Sequence, residues 1–179
     1  MKRLFLIAFL CTLLFSCQKE DSNIEDTNYH LSCKIDGVLT TFNVDAAAGE
    51  DNDVEIWAFA VGGRNADSAN SKIFGIVINS LEDNVRVTPG TYTDNETRFE
   101  VFTGFFDPVT ELEFGAGQEL YDDAIFTGVP IQNHFKVELK ELNEKIARGT
   151  FSGDYYEDYE STGTVKKVTE GEFYLKIQK

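Results

Sequence analysis

Hydrophobic and polar positions divide the chain into three stretches. Leu4 to Phe15 form an apolar run broken only by Thr12. Residues 18–28 are polar or acidic apart from Ile24, and from Tyr29 onward apolar residues recur with a period of two. That period marks half-buried strands. It predicts a strand over 29–35, with Leu31, Cys33 and Ile35 on one face. A hairpin follows at Asp36-Gly37, a dipeptide suited to the positive φ of a two-residue turn. Its second arm is read as Val38 to Val44. Val54 to Val61 and Ile73 to Ile78 are near-continuous apolar runs, as expected of strands covered on both faces. Between them Gly62-Gly63-Arg64-Asn65 opens a polar loop reaching towards Ser71. Leu81 to Val87 reads as a further short strand, stopped by the Pro89-Gly90 turn, and Gly90 to Thr93 starts another. Further on, Phe135, Val137 and Leu139 face one way and Lys136, Glu138 and Lys140 the other. Asn143-Glu144 turns the chain into Ile146 to Phe151, and the last strand sets Phe173, Leu175 and Ile177 against Tyr174, Lys176 and Gln178. No period of 3.6 stands out beyond the N-terminal run. Many short strands at regular spacing predict an all-β fold, a single antiparallel β-sandwich domain over residues 29–179 in preference to a small barrel.

The N-terminal run has its own logic. Lys2 and Arg3 precede it, and it is shorter than the roughly 20 residues needed to cross a hydrocarbon core. A basic start and a short apolar stretch fit a signal peptide over residues 1–16. The run closes with Leu14-Phe15-Ser16-Cys17, which resembles the lipobox of bacterial lipoproteins. That resemblance implies acylation of Cys17 as the first mature residue, with 17–28 as a flexible acidic tether. Gln18-Lys19-Glu20-Asp21 is similar to the surface-export tag of Bacteroidota lipoproteins. The expected location is the outer membrane, on the cell surface, with palmitate-type acyl chains as the membrane contact. Two or more such chains anchor stably where one is marginal.

Charge narrows the partners. Acidic residues outnumber basic ones 31 to 16, and the net charge is −15. Nucleic acid and anionic head groups are bound through Lys and Arg, so this composition argues against both. Of three cysteines, Cys11 leaves with the leader, Cys17 takes lipid, and Cys33 remains as a buried small hydrophobe. One thiol forms no internal disulfide, so packing must hold the domain together. The two histidines, His30 and His134, lie in no sequence context that suggests a Cys–His pair or a metal site.

Four further elements carry a wider resemblance. They are Lys34-Ile35-Asp36-Gly37, Pro89-Gly90-Thr91-Tyr92, Gly149-Thr150-Phe151-Ser152 and Val168-Thr169-Glu170-Gly171-Glu172-Phe173. In this order the chain resembles a family of uncharacterised Bacteroidota lipoproteins built as β-sandwiches. The resemblance implies a fold and an anchor; it supplies no catalytic residues.

Residues 98–132 fit the strand pattern least. Phe99, Phe102, Phe105, Phe106, Phe114, Tyr121 and Phe126 crowd a stretch that does not alternate cleanly past Val101. A second cluster, Tyr155, Tyr156 and Tyr159, is interleaved with acidic residues. Phe105, Phe106, Tyr155, Tyr156 and Tyr159 are therefore the candidate ligand-contacting aromatics, since loops on a rigid scaffold carry most binding. The competing account makes the rings core, and the expectation is that most between Phe99 and Phe126 point inward. Glu50-Asp51-Asn52-Asp53 offers oxygen ligands but lacks the glycine and closing glutamate of an EF-hand loop. There is no G-x-S-x-G elbow and no phosphate loop ahead of a helix. No metal or cofactor is expected. The expected function is a non-enzymatic binding or interaction domain for a glycan, a peptide or a partner lipoprotein. The alternatives are a purely structural surface or assembly protein and, last, a hydrolase.

Overall fold

A computed structural model describes residues 28–51 and 57–178. The leader, the expected lipidation site Cys17 and the tether up to residue 27 lie outside the described residues, as do Asn52 and Asp53. The chain is all-β and sandwich-like. Its strands are β1 (His30–Ile35), β2 (Val38–Thr41), β3 (Val44–Asp51), β4 (Ala58–Arg64), β5 (Ile73–Ser80), β6 (Gly90–Thr93), β7 (Phe99–Asp107), β8 (Leu112–Ala116), β9 (Lys136–Leu142), β10 (Ile146–Glu157) and β11 (Val165–Gln178). Among the described residues a helix, α1 (Gln118–Thr127), follows β8.

These strands form one sheet in the order β2-β1-β11-β3-β4-β5-β7-β8-β10-β9-β6, and β10 also pairs with β11. That extra pairing folds the sheet onto itself. β11, β3, β4, β5, β7, β8 and β10 close a ring, while β1–β2 and β9–β6 extend from it as flaps. Every pairing is antiparallel except β11 with β3, where Ile177 faces Ala48 and Gln178 faces Gly49. Leu31, Phe42, Phe59, Ile76, Phe135, Phe173 and Leu175 fill the space between the layers with almost no exposed surface. Phe74 stacks on Phe151 at 5.1 Å between ring centroids, and Phe135 on Tyr155 at 5.2 Å.

The four sequence elements singled out above include residues with definite physical roles. Asp36 and Gly37 both take positive φ, 51° and 80°, which the tight β1–β2 turn requires. Tyr92 folds back across Pro89-Gly90, so that its hydroxyl accepts from Thr88 N at 3.0 Å and donates to Thr88 O. Gly149 on β10 faces Phe173 on β11, and Phe151 on β10 faces Gly171 on β11. Each ring covers the glycine opposite: a Cβ on Gly149 would sit 2.5 Å from Phe173 Cζ, and one on Gly171 2.4 Å from Phe151 Cδ2. The two G-x-F triplets form one interlocking unit in the central hairpin.

Several sequence expectations are corrected. The arm read as Val38 to Val44 ends at Thr41, because Asn43 Oδ1 takes the Leu31 N–H and a new strand begins at Val44. Residues 81–87 form a connection, not a strand. β5 already pairs with β7 as far as Ser80 and Phe99, Ser80 Oγ bridges to Glu82, and Leu81 is 56% exposed. Gly62-Gly63-Arg64 belongs to β4 and not to the loop. A Cβ at Gly63 would meet Phe42 O at 2.0 Å, so glycine lets two backbones pass. β7 alternates as far as Asp107, past the point where the sequence pattern loses it.

Candidate functional site

The five aromatics proposed from sequence do not meet on one exposed surface. Phe105 alternates inward from β7 and packs on Phe42 and Phe114, with Lys72 Nζ 5.4 Å from its ring centre. Tyr155 is fully buried, its hydroxyl bonded to Thr103 Oγ1, and burial raises the pKa of that phenol. Tyr156 is buried as well: its hydroxyl accepts from Gln132 N at 3.3 Å. Phe105, Tyr155 and Tyr156 are therefore core residues with no face for a ligand. Strand periodicity turns Phe105 and Tyr155 inward, and the segment before β9 covers Tyr156. Phe106 is half-buried. Tyr159 is half-buried too; its ring lies against Gly104 and Gly115, where a Cβ would approach to 2.8 and 2.3 Å. Of the seven rings between 99 and 126, Phe105 and Phe114 are buried, Phe99, Phe102, Phe106 and Tyr121 are half-buried, and Phe126 is 91% exposed.

Phe126 belongs to the helix that sequence periodicity missed. α1 starts after Gly117 (φ 155°), where a Cβ would come within 2.8 Å of Val101 O. It ends at Gly128, whose φ of 71° is the left-handed cap and whose N–H returns to Ala124 O at 3.0 Å. Leu120 is its one buried residue. The other attachment is polar. Asp123 accepts from both the N–H and the hydroxyl of Ser161 at 2.7 Å, and Thr127 Oγ1 lies 2.7 Å from Ser161 Oγ. The Ser161 backbone and hydroxyl bonds hold the Asp123 carboxyl below the usual aspartate range. The β10–β11 loop that carries Ser161 is itself fixed: Asp158 N donates to Glu113 O at 3.0 Å, and Glu160 N to Glu157 O at 3.0 Å. Asp158 and Tyr159 both take positive φ, 51° and 58°, a costly conformation for non-glycine residues.

α1 thus stands as a fixed spur whose outer tip is apolar. Ile125 is 66% exposed and Val129, just past the cap, 36%. This arrangement can make contact. The signal for it in the sequence was the pair Gly117 and Gly128 bracketing ten residues free of proline.

One polar pair was also missed. Asp94, at the end of β6, has a buried side chain that accepts from His134 Nδ1 at 2.7 Å and from Phe135 N at 3.0 Å. Burial raises the Asp94 pKa, partly offset by the Phe135 and His134 bonds. Tyr121 of α1 lies beside the His134 ring at 6.3 Å. The pair ties the end of β6 to the segment that enters β9.

The other chemical candidates are committed elsewhere. Glu50 holds Arg86 through two bonds of 2.9 and 2.7 Å, with the guanidinium over Trp57. Cys33 is buried, and desolvation pushes its thiol up to about 12. Among the described residues no group of three or more His, Cys, Asp or Glu side chains is placed to hold a metal ion. No protein-family model, no curated protein and no solved structure matches the chain.

Proposed function

We propose that this chain is a lipid-anchored envelope protein whose β domain works by contact, with the tip of α1 as its binding surface. The carrying observation is Phe126, 91% exposed on a helix fixed at both of its polar attachments. Burying a side chain such as Phe or Ile is worth about 1.5–3 kcal/mol each. A Phe and an Ile adjacent on a held helix are thus a preorganised anchor for a partner. Of the ligand classes considered, a protein or peptide, including a partner lipoprotein, suits an apolar knob better than a glycan does. The anchor itself rests on the Leu14-Phe15-Ser16-Cys17 resemblance and its acidic tether. The domain serves as a binder and not as an enzyme.

The test uses intact cells. The wild-type chain is expected in the membrane fraction and accessible to added protease, and Cys17→Ser is expected to lose membrane association. Retention of Cys17→Ser on the membrane at the parental level overturns the anchor.

A further inference from the structure

The surroundings of the α1 tip are as uneven as its apolarity. Glu119 and Asp122 are exposed on the helix, and Asp158 and Glu160 are exposed on the loop that Ser161 ties to it. Residues 117–135 and 149–165 contain no Lys or Arg. Phe126 lies in the last turn of the helix, where the macrodipole carries its partial negative charge. Ile125, Phe126 and Val129 therefore share one end of the domain with exposed carboxylates on α1 and on the loop that Ser161 ties to it.

Position adds a second constraint. The chain enters the fold at His30, opposite Tyr174 on β11, whereas the β10–β11 loop begins beyond Val165. From Tyr174 to Val165 an extended strand covers about 30 Å. The loop tied to α1 and the entry of the chain thus lie towards opposite ends of β11.

We infer that the α1 tip docks into an apolar cleft rimmed by Lys and Arg on a separate protein, on the side of the domain facing away from its anchor. This rests on the contact function proposed above and names the chemistry of the partner. A second copy of this chain, with the same exposed carboxylates, is repelled, and so is an anionic lipid surface. An apolar centre inside a charged rim is the usual anatomy of a protein contact, with the aromatic as anchor.

The experiment places the photoreactive residue p-benzoylphenylalanine at Ile125 in the full-length chain, with the same residue at Val109 as a control. Intact cells are irradiated and the adducts mapped by mass spectrometry. The expected result is one protein adduct from position 125 and none from 109. Its yield should fall at least fivefold with Phe126→Ser and at least fivefold with the combined E119Q, D122N, D158N and E160Q substitutions. The attached peptide should lie within a few residues of Lys or Arg. An adduct that ignores the four neutralising substitutions, or maps far from any basic residue, overturns the charged-rim inference and leaves the contact function standing. An adduct of two copies of this chain, or with lipid, overturns the inference in favour of self-association or a membrane. Equal adducts from 125 and 109, or none from a chain that resists trypsin as the parent does, overturn the contact function as well.

Discussion

Asp94 and Asp123 are two carboxylates of opposite temperament, and each predicts a different response to acid. Asp94 is buried and its pKa is raised by desolvation, so the folded state holds that proton more tightly than the unfolded chain. Its contribution to stability is full below the unfolded value of about 3.9 and is lost as pH rises through the higher folded value. Asp123 is held low by the two Ser161 bonds. Its contribution is present above about 3.9 and is lost as pH falls through the lower folded value. Thermal melts between pH 3 and pH 7 should separate them. Asp94→Asn should remove a component that favours acid, and Asp123→Asn one that favours neutral pH. Identical pH profiles for the two variants would contradict both assignments. Asp94→Ala should be worse than Asp94→Asn by about 1–3 kcal/mol, because it leaves the Phe135 N–H without an acceptor.

At the scale of elements, the reciprocal pairing of Gly149 with Phe173 and Phe151 with Gly171 makes the β10–β11 hairpin sensitive to a single methyl group. A Cβ on Gly171 meets Phe151 O, a backbone atom that cannot swing away, at 2.5 Å. Gly171→Ala should cost about 1–3 kcal/mol by overpacking. Gly49 is the control: its nearest neighbour is Gln178 O at 3.8 Å, so Gly49→Ala should stay within about 0.5 kcal/mol. Chemical denaturation of both variants measures this, and equal midpoints would sink the interlocking account. These triplets were visible as a sequence pattern, and the strands around them follow period-two alternation. Other elements gave weaker signals for definable reasons. β3 is built on Ala46, Ala47 and Ala48, residues poor in strand propensity, so its alternation has little contrast. β7 carries Phe102 and Phe106 on one face and Val101, Thr103 and Phe105 on the other, so aromatic rings on both faces blur its period. α1 inverts the usual signal: it buries Leu120 and exposes Ile125 and Phe126, leaving no apolar stripe for a core-facing helix.

For the whole molecule, alternation and turn chemistry made an all-β sandwich legible, but the closure of the sheet was not. It depends on a contact between distant segments, the parallel pairing of Ile177 with Ala48 and Gln178 with Gly49, and neither has a local signature. That seam joins β11 to β3 and completes the ring, so a small deletion there should have effects out of proportion to its size. A chain ending at Lys176 loses the buried Ile177 side chain, its N–H bond to Lys145 O at 2.9 Å and both parallel partners. Loss of a buried Ile alone costs about 2–5 kcal/mol. The truncation also bares the edge of β3, a template for pairing with another chain. Ile177→Ala separates the two effects, because it removes the side chain and keeps the backbone seam. Both variants should melt roughly 5–15 °C below the parent. Only the truncation should form concentration-dependent aggregates in sedimentation velocity, since only it frees the strand edge. A truncated chain that stayed monomeric at the parental melting temperature would show that the ring is held by its other six pairings and that the seam adds nothing.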